Sequence, residues 1–237
     1  MILEKNKTRW ISRTKLINLL NDDQLNQNII SIEVIDSEKL SGIKELDSFG
    51  NINQQIIIIV SKEHSLFISL PFPFNKIKPR SCAEIISILS NDITIGVLFF
   101  ELGSWVSGII KYKKVLLSKR GSRYVKGRHK AGGQSQRRFE RNREKWIEEL
   151  NKKVYEDIKK YISPEKSNLD YFVLLGEENS LNEFVKTTDL EKTFGHKIIY
   201  RKSSLKNYNS KTILKASSNL WSSKIYLDNK NAIVEKI

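Results

Sequence analysis

Two apolar runs and the turn between them decide the fold: IGVLFFEL at residues 95–102 and WVSGII at residues 105–110, joined by Gly103 and Ser104. Each run has the length of a strand, and a two-residue connection containing glycine is typical of a tight antiparallel hairpin. The sequence VLLS at residues 115–118 extends this hairpin. We therefore expect an antiparallel meander of three strands in the middle of the chain.

A long amphipathic helix is predicted after the meander. Apolar side chains recur at helical spacing up to Pro164, at Phe139, Trp146, Ile147, Leu150, Val154, Ile158 and Ile162. The chain then alternates between a strand pattern at residues 171–175, a helix pattern at 181–190, a strand at 197–200 and a final helix at 213–221. This order predicts an α/β fold in which a mixed α+β sheet is covered by helices.

The N-terminal part has signals of its own. Ser12 and the capping box that begins at Ser81 predict helix starts, and apolar patterns predict strands at residues 30–34, 56–60 and 66–70. We predict an N-terminal α+β region at residues 1–91, packed on the core. The second region is expected to cover residues 92–237.

Positive charge is concentrated in one segment. The 237-residue chain has a net charge of +14, and positions 111–145 contain fourteen Lys and Arg residues against Glu140 and Glu144, so +12 lies there. The rest of the chain is nearly neutral. A localised cationic patch indicates a polyanionic partner, most simply a nucleic acid, that is bound with release of counterions.

The glycine-rich stretch KAGGQSQ, residues 130–136, lies inside this segment. Because Gly132 and Gly133 tolerate backbone conformations that other residues avoid, such a loop can approach a crowded target closely. The amides of Gln134 and Gln136 can orient a water molecule or an oxyanion, and they exchange no proton near neutral pH. This composition favours a catalytic site that works by positioning, with both glutamines directly before the helix.

Cations flank the loop on both sides. Arg137, Arg138 and Arg141 fall in the first turns of the predicted helix, where the helix dipole favours acids and where a bound phosphate would offset the cost. The upstream members of the predicted RNA-binding set are Arg123, Tyr124, Lys126, Arg128 and Lys130. Arg123, Tyr124 and Arg128 either brace the loop or stack on a nucleotide, and core packing is a third possibility for Tyr124. Phe139 and Trp146 are expected to pack against the sheet.

Other chemistry is disfavoured. Cys82 is the single cysteine and the three histidines are scattered, so we expect no disulfide, no metal and no cofactor. Glu101, Asp170 and Glu177 are candidates for a metal-dependent nuclease site, but scattered carboxylates are usually structural. The N-terminus lacks a signal-peptide core and no apolar run reaches membrane-spanning length. We therefore expect a cytoplasmic monomer with no membrane partner.

Two neighbouring strings resemble a known signature: GSRYVKGR at residues 121–128 and KAGGQSQRRF at residues 130–139. They resemble the VLRF family, the Vms-like release factors, in its actinobacterial and Chloroflexi branch, which is related to the GGQ catalytic domain of eukaryotic and archaeal peptide-chain release factors. The resemblance implies a ribonuclease H-like catalytic domain that acts on peptidyl-tRNA at the ribosomal large subunit. The family pattern Gly-Gly-x-Ser-Gln places the working glutamine at Gln136, whereas Gln134 completes an ordinary GGQ tripeptide. We favour Gln136.

Three functions follow from this interpretation. The first is a peptidyl-tRNA hydrolase that frees nascent chains on stalled large subunits during ribosome-associated quality control, independently of a codon because no codon-reading module is apparent. The second is endonucleolytic cleavage near the 3′ end of the tRNA by the same loop. The third is a non-catalytic ribosome-binding or tRNA-binding factor, for which the arginines would matter and the loop glutamines would not.

Overall fold

The computed structural model describes residues 7–40, 43, 46, 55–74, 78–112, 114–127, 134–202, 213, 219–229 and 233–234. The chain divides into two compact units, one made of Met1–Asn91 with Ser218–Ile237 and the other of Asp92–Ser217. Each unit contains a five-stranded sheet.

The first unit is built on an antiparallel sheet. Its elements are β1 (Arg9–Ile11), α1 (Arg13–Leu20), α2 (Asp23–Gln27), β2 (Ile29–Asp36), β3 (Gln55–Ser61), β4 (His64–Ser69), α3 (Cys82–Ser90) and the late strand β10 (Ser223–Asn229). The strand order is β1-β10-β4-β3-β2. The continuous apolar run of β3 is explained by burial on both faces: Ile57 and Ile59 pack with α1 and α3, and Ile56 and Ile58 pack with Phe67.

Local signals set the helix starts of this unit as predicted. The hydroxyl of Ser12 accepts a hydrogen bond from the backbone N–H of Lys15 at 3.4 Å. The hydroxyl of Ser81 accepts from the N–H of Glu84 at 3.2 Å, and the Glu84 carboxylate accepts from the N–H of Arg80 at 2.8 Å. These caps satisfy donors that would otherwise lack partners in the first turn.

The second unit contains β5 (Thr94–Glu101), β6 (Ser104–Lys111), β7 (Lys114–Ser122), α4 (Gln134–Tyr161), β8 (Tyr171–Gly176), α5 (Glu178–Lys186), α6 (Leu190–Phe194) and β9 (Ile198–Lys202). The strand order is β7-β6-β5-β8-β9; β5, β6 and β7 form the predicted meander, β8 runs parallel to β5, and β9 runs parallel to β8. Of these five strands, only β6 runs antiparallel to the other four. This is the arrangement of a ribonuclease H-like sheet, and it confirms the predicted mixed α/β fold.

The core of the second unit lies between one face of this sheet and its helices. Leu150, Val154 and Ile158 of α4 are fully buried and pack with Phe172 and with side chains of α5 and α6. The indole Nε1 of Trp105 donates to Asp157 Oδ2 at 3.1 Å, which links β6 to α4. The position of α4 on the sheet is therefore fixed by the C-terminal part of the helix.

One turn and two strands differ from the prediction. The hairpin turn consists of Leu102 and Gly103, with φ of +103° at Gly103, while Ser104 already pairs with Glu101 in the ladder. Strand β7 continues to Ser122, past the predicted end at residue 118. The strand β10 was not predicted, because the last element predicted from the sequence is the helix at residues 213–221.

The boundary between the two units lies after Asn91, where the two predicted regions also meet. The units differ from the predicted regions in where the C-terminal residues belong. Residues 218–237 belong to the first unit, because β10 pairs with β1 and β4 of that sheet. Of the predicted final helix, Ile213 is helical and buried, and residues 214–218 lie outside the described part of the chain. Of the helices that the structure describes, none combines the length and the apolar composition that a bilayer crossing requires.

Candidate nucleic-acid interface

The N-terminal part of α4 extends past the core of its unit. The helix has 28 residues, and its side chains are described from Gln136 onward. Every one from Gln136 to Trp146 is exposed or half-buried, and Ile147 is the first of them that is buried. At 1.5 Å per residue, the part over residues 134–146, which we call the stalk, is about 20 Å long. The stalk thus presents the end of the glycine-rich loop at a distance from the sheet.

A short segment, residues 123–127, runs antiparallel along the stalk. The backbone N–H of Arg123 donates to the carbonyl of Gly103 at 2.9 Å, and its guanidinium forms an ion pair with Glu149. The Tyr124 ring lies 6.3 Å from the Trp146 ring at an interplanar angle of 59°. Lys126 Nζ lies 5.1 Å from the centre of the Phe139 ring. Arg123, Tyr124 and Lys126 therefore contact helix positions that lie progressively closer to its N-terminus.

The two candidate glutamines lie inside the helix. Because α4 begins at Gln134, both Gln134 and Gln136 belong to its first turn, whereas the sequence analysis placed them before it. Glutamine is a good helix former. The exposed side chain of Gln136 donates from Nε2 to Glu140 Oε1 at 3.0 Å, a contact of the i, i+4 type.

The predicted arginines form one face of the stalk. Arg137, Arg138 and Arg141 are all exposed. At 100° per residue they lie on the side of the helix opposite Leu150, which is buried. The first turn contains no acidic residue. The helix therefore offers an anion both its N-terminal dipole and three accessible guanidinium groups.

Other members of the predicted set fall outside this description. Gly132, Gly133, Arg128 and Lys130 lie outside the described residues. Among the described members, Arg123, Tyr124 and Lys126 are brought together on one side of the stalk. Glu149 was missed, since Arg123 and Glu149 are 26 residues apart and no local pattern marks their pairing.

One of the three alternatives for Tyr124 is excluded, and the expectation for Phe139 was wrong. Tyr124 is 74% exposed and so is not a core residue. Phe139 is 41% exposed and lies beneath Lys126, so it does not pack against the sheet. The apolar stripe of α4 continues to Phe139, but the α4 side chains in the buried core cluster begin only at Leu150. The segment 123–127 contacts the stripe before Leu150 instead.

The three carboxylates considered for a nuclease site are not all brought together, because Glu101 lies at the Glu177 end of the paired strands β5 and β8 and Asp170 lies at the other end. Asp170 and Glu177 lie at opposite ends of β8, and Asp170 Oδ2 accepts from the N–H of Thr94 at 2.8 Å. Glu177 caps α5 by accepting from Ser180 and Asn179, and the hydrogen bond from the Ser180 hydroxyl is the main cause of the lowered pKa of this glutamate. Within the described ranges, no three His, Cys, Asp or Glu residues are grouped so that they could hold a metal ion.

Comparisons with known proteins identify the family. The model of the Actinobacteria/chloroflexi VLRF1 release factor family matches residues 94–220, which is over half of the chain. Peptide chain release factor subunit 1 of Aeropyrum pernix is 32% identical over 106 residues, which cover 44% of this chain and 28% of that protein. The match thus spans less than a third of the relative's length.

Solved structures include similar chains at low identity. An archaeal translation termination factor, aRF1, shares 14% identity at a TM-score of 0.39, with 89% of this chain and 73% of that chain covered. The Vms1 mitochondrial localization core shares 14% identity at a TM-score of 0.43, with 87% and 93% covered. The family match confirms the resemblance seen in the residues around the loop. The chain belongs to the Actinobacteria/chloroflexi VLRF1 release factor family.

Proposed function

We propose that this chain is a peptidyl-tRNA hydrolase that acts without reading a codon and frees nascent chains from tRNA on stalled ribosomal large subunits, as in ribosome-associated quality control. The observation that carries the proposal is the stalk. Its side chains from Gln136 to Trp146 are not committed to the core, and its arginine face is open to solvent. Such an element is suited to enter a channel lined by RNA.

In this proposal the cations bind RNA and the loop reaches the ester bond. Arg137, Arg138 and Arg141 contact phosphates of the tRNA acceptor arm or of the large-subunit rRNA, where the dipole of α4 adds to their charge. Arg123, Tyr124 and Lys126 contribute from the other side, together with Arg128 and Lys130. The Gly132-Gly133 turn allows the backbone to approach the reacting ester closely.

Gln136 supplies the chemistry in this proposal. Its amide orients a water molecule whose oxygen attacks the ester carbonyl, and it donates to the oxyanion that develops; the 3′ oxygen of the tRNA leaves with a proton. The amide has no titratable proton, so its contribution is positioning and charge stabilisation. To act, Gln136 has to exchange its hydrogen bond with Glu140 for one to the water. Gln134 is the other candidate for this role.

The test is peptide release from stalled large-subunit complexes. Gln136→Ala should abolish release, while ribosome binding and the melting temperature stay unchanged, because an exposed amide contributes little to folding. Gln134→Ala is the matched control and should retain substantial activity. The reverse result would assign the role to Gln134.

The products of the same reaction discriminate between the alternatives. Ester hydrolysis yields a peptide with a free carboxylate and an intact tRNA, whereas cleavage of the tRNA yields a peptide that retains 3′ nucleotides. Gel and mass analysis separates the two. If the Gln134→Ala/Gln136→Ala double variant releases peptide at the parental rate, the glutamine mechanism is wrong.

A further inference from the structure

The side of the stalk that faces segment 123–127 is an aromatic surface. Tyr124 is 74% exposed, Phe139 is 41% exposed, and Trp146 is half-buried. The Trp146 ring is in tilted contact with the Tyr124 ring, at a centroid distance of 6.3 Å and an interplanar angle of 59°. Tyr124 thus has an aromatic neighbour while most of its surface stays open to solvent.

Cations surround these rings. Lys126 Nζ lies 5.1 Å from the Phe139 ring, and the Arg123 side chain keeps 44% exposure beside its partner Glu149. Arg143 lies four residues after Phe139 and three before Trp146, on the same helical face. Its Nε is shielded from solvent and has no hydrogen-bond partner among the described residues. Arg143 as a whole is half-buried, so it adds a further positive charge to this side of the stalk.

An exposed ring with an aromatic neighbour, next to cations, fits the components of a single nucleotide. The planar base can stack on Tyr124, and the phosphate can accept from Arg143 and Lys126. A duplex keeps its base faces stacked inside, so only an unpaired nucleotide can present one. An apolar peptide would complement the rings, but it would leave the surrounding charge of the +12 segment without a partner.

We propose that Tyr124, in contact with Trp146 and flanked by Phe139, Lys126 and Arg143, is a stacking site for an unpaired RNA nucleotide. This inference rests on the proposed action on an RNA-linked substrate, and it adds that the protein binds a single-stranded part of that RNA through a base face. Stacking tolerates any base, so the site selects unpaired over paired RNA and does not read a sequence.

The experiment uses the full chain and a short single-stranded RNA that carries 2-aminopurine, whose fluorescence is quenched when the base stacks. The parental chain should quench the probe, and Tyr124→Leu should abolish the quenching and weaken binding about tenfold. Tyr124→Phe keeps the ring and should bind within about twofold of the parental chain. The matched control is Tyr200→Leu, since Tyr200 is a 42% exposed tyrosine on β9 of the same unit.

Equal losses from Tyr124→Leu and Tyr200→Leu, or an unquenched probe with the parental chain, would overturn the proposal. The proposal would also be overturned if a fully paired RNA hairpin bound as tightly as the single-stranded RNA and its binding depended on Tyr124. If Tyr124→Leu melts at a lower temperature than the parental chain, the Arg143→Gln variant provides the test instead. It should weaken RNA binding and reduce the dependence of the binding constant on salt concentration. An unchanged salt dependence would contradict the site. The assay requires no hydrolysis. A chain that quenches the probe but releases no peptide retains the stacking site and loses only the proposed enzymatic function.

Discussion

Gly121 begins the string that resembles the family signature, and its role in the structure is packing. It lies opposite Trp105 in the β6–β7 ladder, and a Cβ at this position would fall well inside the van der Waals surface of the indole ring. Trp105 is 1% exposed and is tied to Asp157, so its ring cannot move aside without breaking that hydrogen bond. The glycine therefore lets β7 pass over the tryptophan that links β6 to α4.

We expect Gly121→Ala to destabilise the chain by roughly 1–3 kcal/mol, the usual cost of overpacking a filled core. Gly127→Ala is the control, because a Cβ there meets nothing within 4 Å, and it should change stability by no more than about 0.5 kcal/mol. The measurement is the free energy of unfolding in urea. Similar values for the two variants would show that the close approach at Gly121 is not rigid.

At the scale of single residues, what could be predicted was local. The caps at Ser12 and Ser81 involve partners within four residues, so their sequence patterns suffice. The ion pair of Arg123 with Glu149 and the ring contact of Tyr124 with Trp146 join positions more than twenty residues apart. Their existence depends on where β7 ends and on how α4 lies on the sheet, and neither is encoded in a short pattern.

The stalk is the element on which RNA binding depends. Reversing charge at Arg137, Arg138 and Arg141 to Glu should weaken tRNA binding and lower the salt-dependence slope by about two units, since each lost phosphate contact removes somewhat less than one. Acidic residues in the first turns of a helix are favoured by its dipole, so the melting temperature should not fall. Loss of affinity could then not be attributed to unfolding.

The matched control is the same reversal at Lys152, Lys153 and Lys160, three exposed lysines in the C-terminal half of the same helix. They carry equal charge but lie outside the stalk. Titrations at several salt concentrations measure both slopes. Equal reductions would mean that the chain binds RNA through its overall charge and that the stalk has no special part.

The boundaries of this element also show why periodicity alone was insufficient. The apolar stripe correctly predicted the helix and its end near Tyr161, but it extended the expected packing to Phe139. An apolar stripe shows which side of a helix is apolar, but it does not show which element packs against that side. Here the core of the unit covers the part from Leu150 onward, and segment 123–127 contacts the stripe at Trp146 and Phe139.

At the scale of the whole molecule, the chain has two sheets, each with buried apolar clusters of its own. The first unit is discontinuous in sequence, since β10 returns from the far end of the chain to pair with β4 and β1. A linear reading of sequence assigned that segment to the second region, because strand pairing across such a separation leaves no local trace. The discontinuity makes the first unit dependent on the last residues of the chain.

This dependence gives a prediction with a matched pair of isoleucines. Ile225 of β10 is 1% exposed and pairs with Ile68, whereas Ile30 of β2 is 65% exposed in the same sheet. Ile225→Asp would put a carboxylate in place of an apolar side chain beside Ile68, in the buried cluster that includes residues of α1 and α3, so we expect the first unit to unfold. Ile30→Asp should leave it folded. Hydrogen exchange should then show, for Ile225→Asp only, lost protection in β3 and β4 and retained protection in β5 and β8. Loss of protection in all four strands at once would show that the two units unfold as one, and the stalk would then depend on a strand that lies outside its own unit.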